Sequence, residues 1–324
     1  MAETVTIHHE GYPHLVRNIF DQASRSALIA LRGVSRAFQD EADSRLAEHI
    51  VVTSHFPAAV TGRLGRIPGL FAPEGTPPSK KRDKYVRTLR GTRIVDVLGH
   101  MGDQAMGRSL LDVSLVGIQV VRLRRHPGGR LPGWCPFVAP TLVTFTTFSE
   151  VRQQRHDHPA IADVCPAPEG VGRSVLVLRY DPARVWLSQA YVTPFSCPAS
   201  LREMVIIFTA KTTHREDEVN QVRQATRRAG MLNTVVFSIA SSIPRVKYTL
   251  VDAHQLRPAW LGVSSDRGSS VEEDILDAVL ESLQKWSGRD PASAAAALSS
   301  ITFMTRAEYR EQVGHAQFVL ETIE

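Results

Sequence analysis

Three groups of residues have the right types for chemistry: a histidine–aspartate–histidine run, three cysteines that each precede a proline, and several aspartates near apolar runs. His156-Asp157-His158 sets three metal-ligand types side by side. Adjacent residues rarely all face one ion, and no distant His or Cys at zinc-like spacing joins them, so they read as a polar loop. His8, His9 and His14 lack a supporting Cys or carboxylate cluster and read as solvated. Cys135, Cys165 and Cys197 show no Cys-x-x-Cys spacing, and nothing beside them would lower a thiol pKa. They suit small apolar fillers. Asp96, Asp112, Asp181 and Asp252 fall at or near the ends of apolar runs. An α/β enzyme could place a carboxylate set there, but turn residues occupy the same positions and are the commoner explanation. Gly128-Gly129 and Gly133 lead into Trp134-Cys135-Pro136 and an apolar run, which makes a turn and not a phosphate cradle. No Gly-x-Ser-x-Gly elbow occurs. No catalytic residue, metal or cofactor is assigned.

Composition narrows the class. The 324 residues are 43% hydrophobic with a net charge of +5, an ordinary globular balance with room for two domains or one long repeat array. The excess positive charge is mild, and no Lys/Arg stripe alternates with aromatics, which argues against nucleic acid. Lys80-Lys81-Arg82-Asp83-Lys84, within the Pro73–Lys84 stretch, reads as a solvated loop, with a nuclear import patch or an anionic-partner contact as alternatives. An odd number of cysteines behind a polar amino terminus, Met1–Pro13, leads us to expect reduced thiols in the cytoplasm or nucleus. No apolar run reaches membrane-spanning length.

The stretch that orders the rest is Tyr12 to His49. Pro13 suits a helix start, because its fixed φ and missing donor cost nothing in a first turn. Leu15, Val16 and Ile19 follow at helical spacing, with Phe20 adding bulk. Asp21 to Ser24 breaks the run, and Ser24 or Ser26 can cap a second helix. Leu28, Leu31, Val34, Phe38, Ala42 and Leu46 continue at steps of three and four, with a bend expected near Gly33. Three short helices result, with more apolar surface than about forty residues can bury internally.

These residues resemble an F-box of the divergent sort common in fungal proteins. The elements of likeness are Tyr12-Pro13, His14, Leu15-Val16, Ile19, Leu28, Leu31, Val34-Ser35-Arg36 and Phe38. Tyr12, His14 and Phe38 stand where the pattern has Leu, Glu and Trp. The resemblance implies docking on a Skp-type adaptor through Tyr12, Pro13, Leu15, Val16, Ile19, Leu28, Leu31, Val34 and Phe38. It further implies that the remaining chain brings a protein target to a cullin ubiquitin ligase. A helical cap packed on the chain's own body is the plainer alternative.

Beyond Arg93, short apolar runs of strand length recur: Arg93–Leu98, Leu115–Leu123, Leu142–Phe145, Val175–Leu178, Met204–Phe208, Val235–Phe237 and Val246–Val251, after an earlier one at Ile50–Val52. Cys135-Pro136, Cys165-Pro166 and Cys197-Pro198 are 30 and 32 residues apart, and Val235 continues the beat from Val205. One strand per period near thirty predicts an irregular strand-plus-return solenoid, and Leu201–Ile206 loosely resembles the strand segment of a leucine-rich repeat. An open α/β sheet with long crossovers would give a similar period. Between strands, Glu216–Ala229 is a charged helix with a thin apolar stripe.

Ser270-x-x-Glu273 is a capping box, and Val271, Ile275, Val279, Leu283 and Trp286 share a face that ends at Gly288 and Pro291. Thr305-x-x-Glu308 opens a second helix closed by Gly314. Phe303, Tyr309, Val313 and Phe318 are expected to pack on the last strand, and both helices to cover a sheet edge. The expected organisation is a lead-in over 1–11, F-box-like helices over 12–50 and a linker over 51–91. A repeat-like α/β domain follows over 92–324, with carboxy-terminal helices at 270–287 and 305–314. The expected fold class is α+β or α/β. The expected function is a non-enzymatic protein-interaction adaptor, with an α/β enzyme or small-molecule binder as the alternative.

Overall fold

A computed structural model describes residues 11–53, 60–62, 86–98, 117–124, 137–147, 164–180, 197–210, 233–256, 269–288 and 290–323. It also describes positions 67, 83, 135 and 195 and the pairs 161–162 and 191–192. His8, His9, most of the Pro73–Lys84 stretch, Asp112, the Gly128–Gly133 run, His156–His158, Asp181 and Glu216–Ala229 lie outside these residues. The chain divides into two units, one formed by residues 1–96 and 102–118, the other by 97–101 and 119–324.

In the first unit the helices start where the sequence supplies caps. α1 (Pro13–Gln22) has Pro13 in its first turn. α2 (Arg25–Leu31) is capped by Ser24, whose hydroxyl accepts from the Ala27 amide, so Ser24 is the cap of the two candidate serines. α3 (Arg36–Leu46) is capped by Ser35 through the Phe38 amide. The bend expected near Gly33 is the turn between α2 and α3. A bidentate ion pair closes that turn: Arg32 Nε and Nη2 donate to the two Asp43 carboxylate oxygens at 2.5 and 3.3 Å. Phe20 meets Phe38 edge-on at 5.2 Å, and Leu28, Ala42 and Leu46 complete the small core.

β1 (His49–Thr53) follows, with β2 (Val60–Gly62) antiparallel on one side and β3 (Ile94–Leu98) on the other. The 51–91 stretch is therefore not all loop: β2 lies in it, and Ile67, Thr88 and Leu89 are buried. Thr92 Oγ1 donates to the Ala47 carbonyl at 2.8 Å, and the Glu48 carbonyl accepts from the amides of Arg93 and Ile94. The return from α3 is thereby fixed to the start of β3.

The second unit is α/β, built on a parallel sheet. Its strands are β4 (Val120–Arg124), β5 (Thr141–Thr147), β7 (Arg173–Tyr180), β9 (Glu203–Ala210), β10 (Lys247–Val251) and β11 (Ile301–Met304). They are hydrogen-bonded in that order, every neighbouring pair parallel. The short β6 (Ile161–Ala162) and β8 (Tyr191–Val192) form a separate parallel pair. The centres of β5, β7 and β9 are buried on both faces, which explains why Val175–Leu178 and Met204–Phe208 are continuous apolar runs and not alternating ones.

The thirty-residue beat has a structural origin at the strand entrances. The Pro140 carbonyl accepts from the amides of Gly172 and Arg173, both at 3.0 Å, and the Gly172 carbonyl from those of Arg202 and Glu203 at 2.9 and 3.2 Å. Gly170 donates to Ser200 Oγ at 2.9 Å, thirty positions on, and the Ala199 amide donates to the Glu169 carboxylate at 3.2 Å. The cysteine–proline pairs precede β5, β7 and β9 in these stacked entrances. Gly170 has φ +95°, and a Cβ there would lie 2.8 Å from Val138 Cγ1, so glycine is required.

Four expectations are corrected. Val235–Phe237 is not a strand but part of α4 (Asn233–Ser242). Val235, Val236, Ile239, Ala240 and Ile243 are all buried, a helical spacing that the strand-like Val-Val-Phe triplet disguised. Pro291 does more than follow a helix stop. With Asp290 as cap it opens α6 (Pro291–Ala297), after α5 (Val271–Ser287) has ended at Gly288 with φ 61°. The third correction concerns the sheet edge, which is β11, a strand too short to register as a run. α7 (Arg306–Val313) leaves directly from it, whereas α5 packs on α4. Finally, Asp96 is not a turn residue: it is buried within β3, and its carboxylate lies 3.0 Å from His49 Nε2. Asp252 does sit in a turn, at φ 59°, and accepts from the Arg306 amide at 2.9 Å. α8 (His315–Thr322) was not expected.

Candidate docking surface

Helix α1 is apolar on two sides. Its inward side carries Phe20, buried against Phe38. Its outward side carries Tyr12, Leu15 and Ile19, spaced three and four apart and so aligned in one stripe, at 52, 50 and 56% exposure. Val34, between α2 and α3, is 64% exposed, and Ile29 on α2 is 38% exposed. Among the described residues, the first unit's large exposed apolar side chains are these five, all within residues 12–34. Scattered exposed apolar residues are normal, but a helical stripe of them is a recognised mark of an interaction surface.

Of the nine residues expected on the docking face, Tyr12, Pro13, Leu15, Ile19 and Val34 are exposed. Val16, Leu31 and Phe38 are half-buried, and Leu28 is buried. Leu28 thus holds the helices together and does not present itself outward. Ile29 was missed. It follows directly on Leu28, so the stripe that identified Leu28 as apolar also hid its exposed neighbour. The unit is braced by ion pairs on its rim, where Arg45 reaches Asp21 at 2.8 Å and Glu41 at 2.9 Å.

The second unit holds a polar cluster on one face of its sheet. Alternation along the strands puts Arg173, Val175, Val177 and Arg179 of β7 on the same side as Glu203 of β9 and Arg122 and Phe145 of β4 and β5. The guanidinium carbons of Arg122 and Arg179 lie 5.2 and 5.5 Å from the Phe145 ring centre. Glu321 of α8, fully buried, meets Arg173 at 3.0 Å and accepts from the Tyr309 hydroxyl. Burial and the nearby Glu321 carboxylate together drive the Tyr309 hydroxyl pKa upward. The opposite face carries Tyr248, which hydrogen-bonds Ser242 of α4 and is also pushed upward by burial.

Burial raises the Cys135 thiol to about 11 and the Cys165 thiol to about 12, with Cys135 adding to the rise at Cys165. A thiol in that range is a packing group and not a nucleophile. Among the described residues, no group of three or more His, Cys, Asp and Glu could hold a metal ion, and no helix is long and apolar enough to cross a membrane. Comparison with protein-family models, with the curated proteins and with the solved structures gives no match.

Proposed function

We propose that the chain is an F-box-like adaptor. The face formed by Tyr12, Leu15, Ile19 and Val34, with Ile29 beside it, docks a Skp-type partner in the cytoplasm or nucleus, and the second unit presents a protein target. The observation that carries this reading is the exposed apolar stripe on a helical unit whose own core is already filled by Phe20, Leu28, Phe38 and Leu46.

The second unit is then an irregular leucine-rich-repeat-like solenoid. Its six strands keep sequence order without a reversal, and every neighbouring pair is parallel, as in repeat arrays. An α/β enzyme of the doubly wound type would have its pocket at a reversal of strand order, and this unit contains no such point among its described strands.

The test is capture of the purified full-length chain by a purified Skp-type adaptor, beside a Leu15→Asp/Ile19→Asp variant. Binding by the wild-type chain and loss in a variant that still melts cooperatively would support adaptor docking. No binding by the wild-type chain with adaptor in excess would remove that function and leave the helices as architecture.

A further inference from the structure

The outward stripe of α1 is complementary to itself. Tyr12, Leu15, Ile19 and Gln22 recur at steps of three, four and three, the spacing of a two-helix seam, and all four are exposed. A two-fold axis at the level of Arg17 maps this set onto itself in antiparallel register. Leu15 then faces Ile19 of a second copy, and Tyr12 faces Gln22 of a second copy. The aliphatic pairs fill the centre of the seam. At each end a phenol meets an amide whose carbonyl accepts from it.

The charges of α1 keep clear of this seam. At about 100° per residue, His14, Arg17 and Asp21 fall more than about 130° from the middle of the stripe. The stripe is flanked by Asn18 on one side and by the half-buried Val16 on the other. No like charges of α1 therefore meet when two such faces close, although each chain carries a net charge of +5. A partner with a charged rim gains nothing from these flanks, whereas a second copy meets no electrostatic cost. One ten-residue helix covers much less than the roughly 800 Å² per partner of a standard interface, so the contact is a weak and reversible one.

We propose that this face closes on a second copy of the chain, α1 against α1 in antiparallel register, and that the resulting weak dimer covers the docking face when no adaptor is bound. The regulatory half of the inference rests on the adaptor reading. Self-association does not, because it is a property of the chain alone.

The experiment is sedimentation velocity of the full-length chain from about 2 to 300 μM, where a monomer–dimer equilibrium with a dissociation constant of about 10–100 μM is expected. Raising salt from about 0.05 to 0.5 M should leave it unchanged or tighter, since the seam has no ion pair to screen. Leu15→Asp/Ile19→Asp should weaken it at least about tenfold. If that variant melts without cooperativity, Gln22→Glu, on an exposed position, takes its place and should weaken the dimer at least about threefold. Register is read by cross-linking in a Cys197→Ser background, where the remaining thiols are buried. Leu15→Cys and Ile19→Cys chains, mixed, should cross-link to each other at least about fivefold faster than either does to itself. A chain that stays monomeric over the whole range, a dimer that the substitutions leave intact, or equal cross-linking in every pairing would each overturn the proposal. Adding a Skp-type adaptor should yield complexes holding one chain, and a complex holding two would overturn the mutual exclusion. A dimer that no adaptor captures keeps the self-association and removes adaptor docking, and a captured chain that never dimerises does the reverse.

Discussion

Leu28 and Leu15 are the same residue type thirteen positions apart, yet their surroundings assign them opposite roles. Leu28 is buried at the junction of the helices, so Leu28→Ala should cost about 2–5 kcal/mol, read from chemical denaturation. Leu15 and Ile19 are half exposed, so Leu15→Asp/Ile19→Asp should change stability by less than about 1 kcal/mol while abolishing any docking through that face. The thiols give a second prediction. With folded-state values near 11 and 12, Cys135 and Cys165 should resist a disulfide reagent at pH 8 in the native protein and react on unfolding, while the partly exposed Cys197 reacts first. The sign follows from linkage. The native state holds these protons more tightly than the unfolded chain, whose thiols titrate near 9. Their contribution is therefore intact below pH 9 and is lost as pH rises towards 11 and 12. Denaturation midpoints at pH 7, 9 and 10.5 should fall mainly over the last interval, and Cys135→Ala should flatten that fall.

Helices with an explicit cap were legible from sequence: Pro13, Ser24, Ser270 and Thr305 each open one, and Gly288 and Gly314 each close one. Ser270→Ala removes the side-chain acceptor of the Glu273 amide and should cost about 1 kcal/mol in thermal unfolding of the second unit. Strands buried on both faces were legible as well, because Val175–Leu178 and Met204–Phe208 have no competing helical period. What escaped has physical causes. Val235–Phe237 is two β-branched residues and an aromatic, and only the wider spacing to Ile239 and Ile243 reveals a helix. β11 is four residues long with one buried side chain, so it has no pattern until β10 pairs with it. Most of the exposed apolar stripe could be named from sequence, Ile29 excepted, but not which of its members face outward. The Arg173–Tyr309–Glu321 contact could not be seen at all, since its partners lie 136 and 148 positions from Arg173. The entrance ladder is in between. The cysteine–proline beat announced it, but its working parts are the Pro140 and Gly172 carbonyls and the left-handed Gly170. Gly170→Ala should destabilise the second unit by more than about 1 kcal/mol, measured by urea denaturation.

At the scale of the molecule, Leu28 lies in the core of the first unit and Gly170 at a strand entrance of the second. The second unit's strand order has a consequence of another kind. Paired positions are Val120 with Thr141, Thr141 with Arg173, Arg173 with Glu203, Glu203 with Lys247, and Tyr248 with Ile301, separations of 21, 32, 30, 44 and 53 residues. The same parallel pairing is reached through connections whose length more than doubles. Lengthening a connection adds closure entropy only logarithmically, so each could have grown without loosening the strands it joins. Length in such a chain is free to drift between fixed ladders. The spacing from one strand to the next is therefore a poor guide to the sheet, whereas the ladder at each strand's entrance fixes which strands pair.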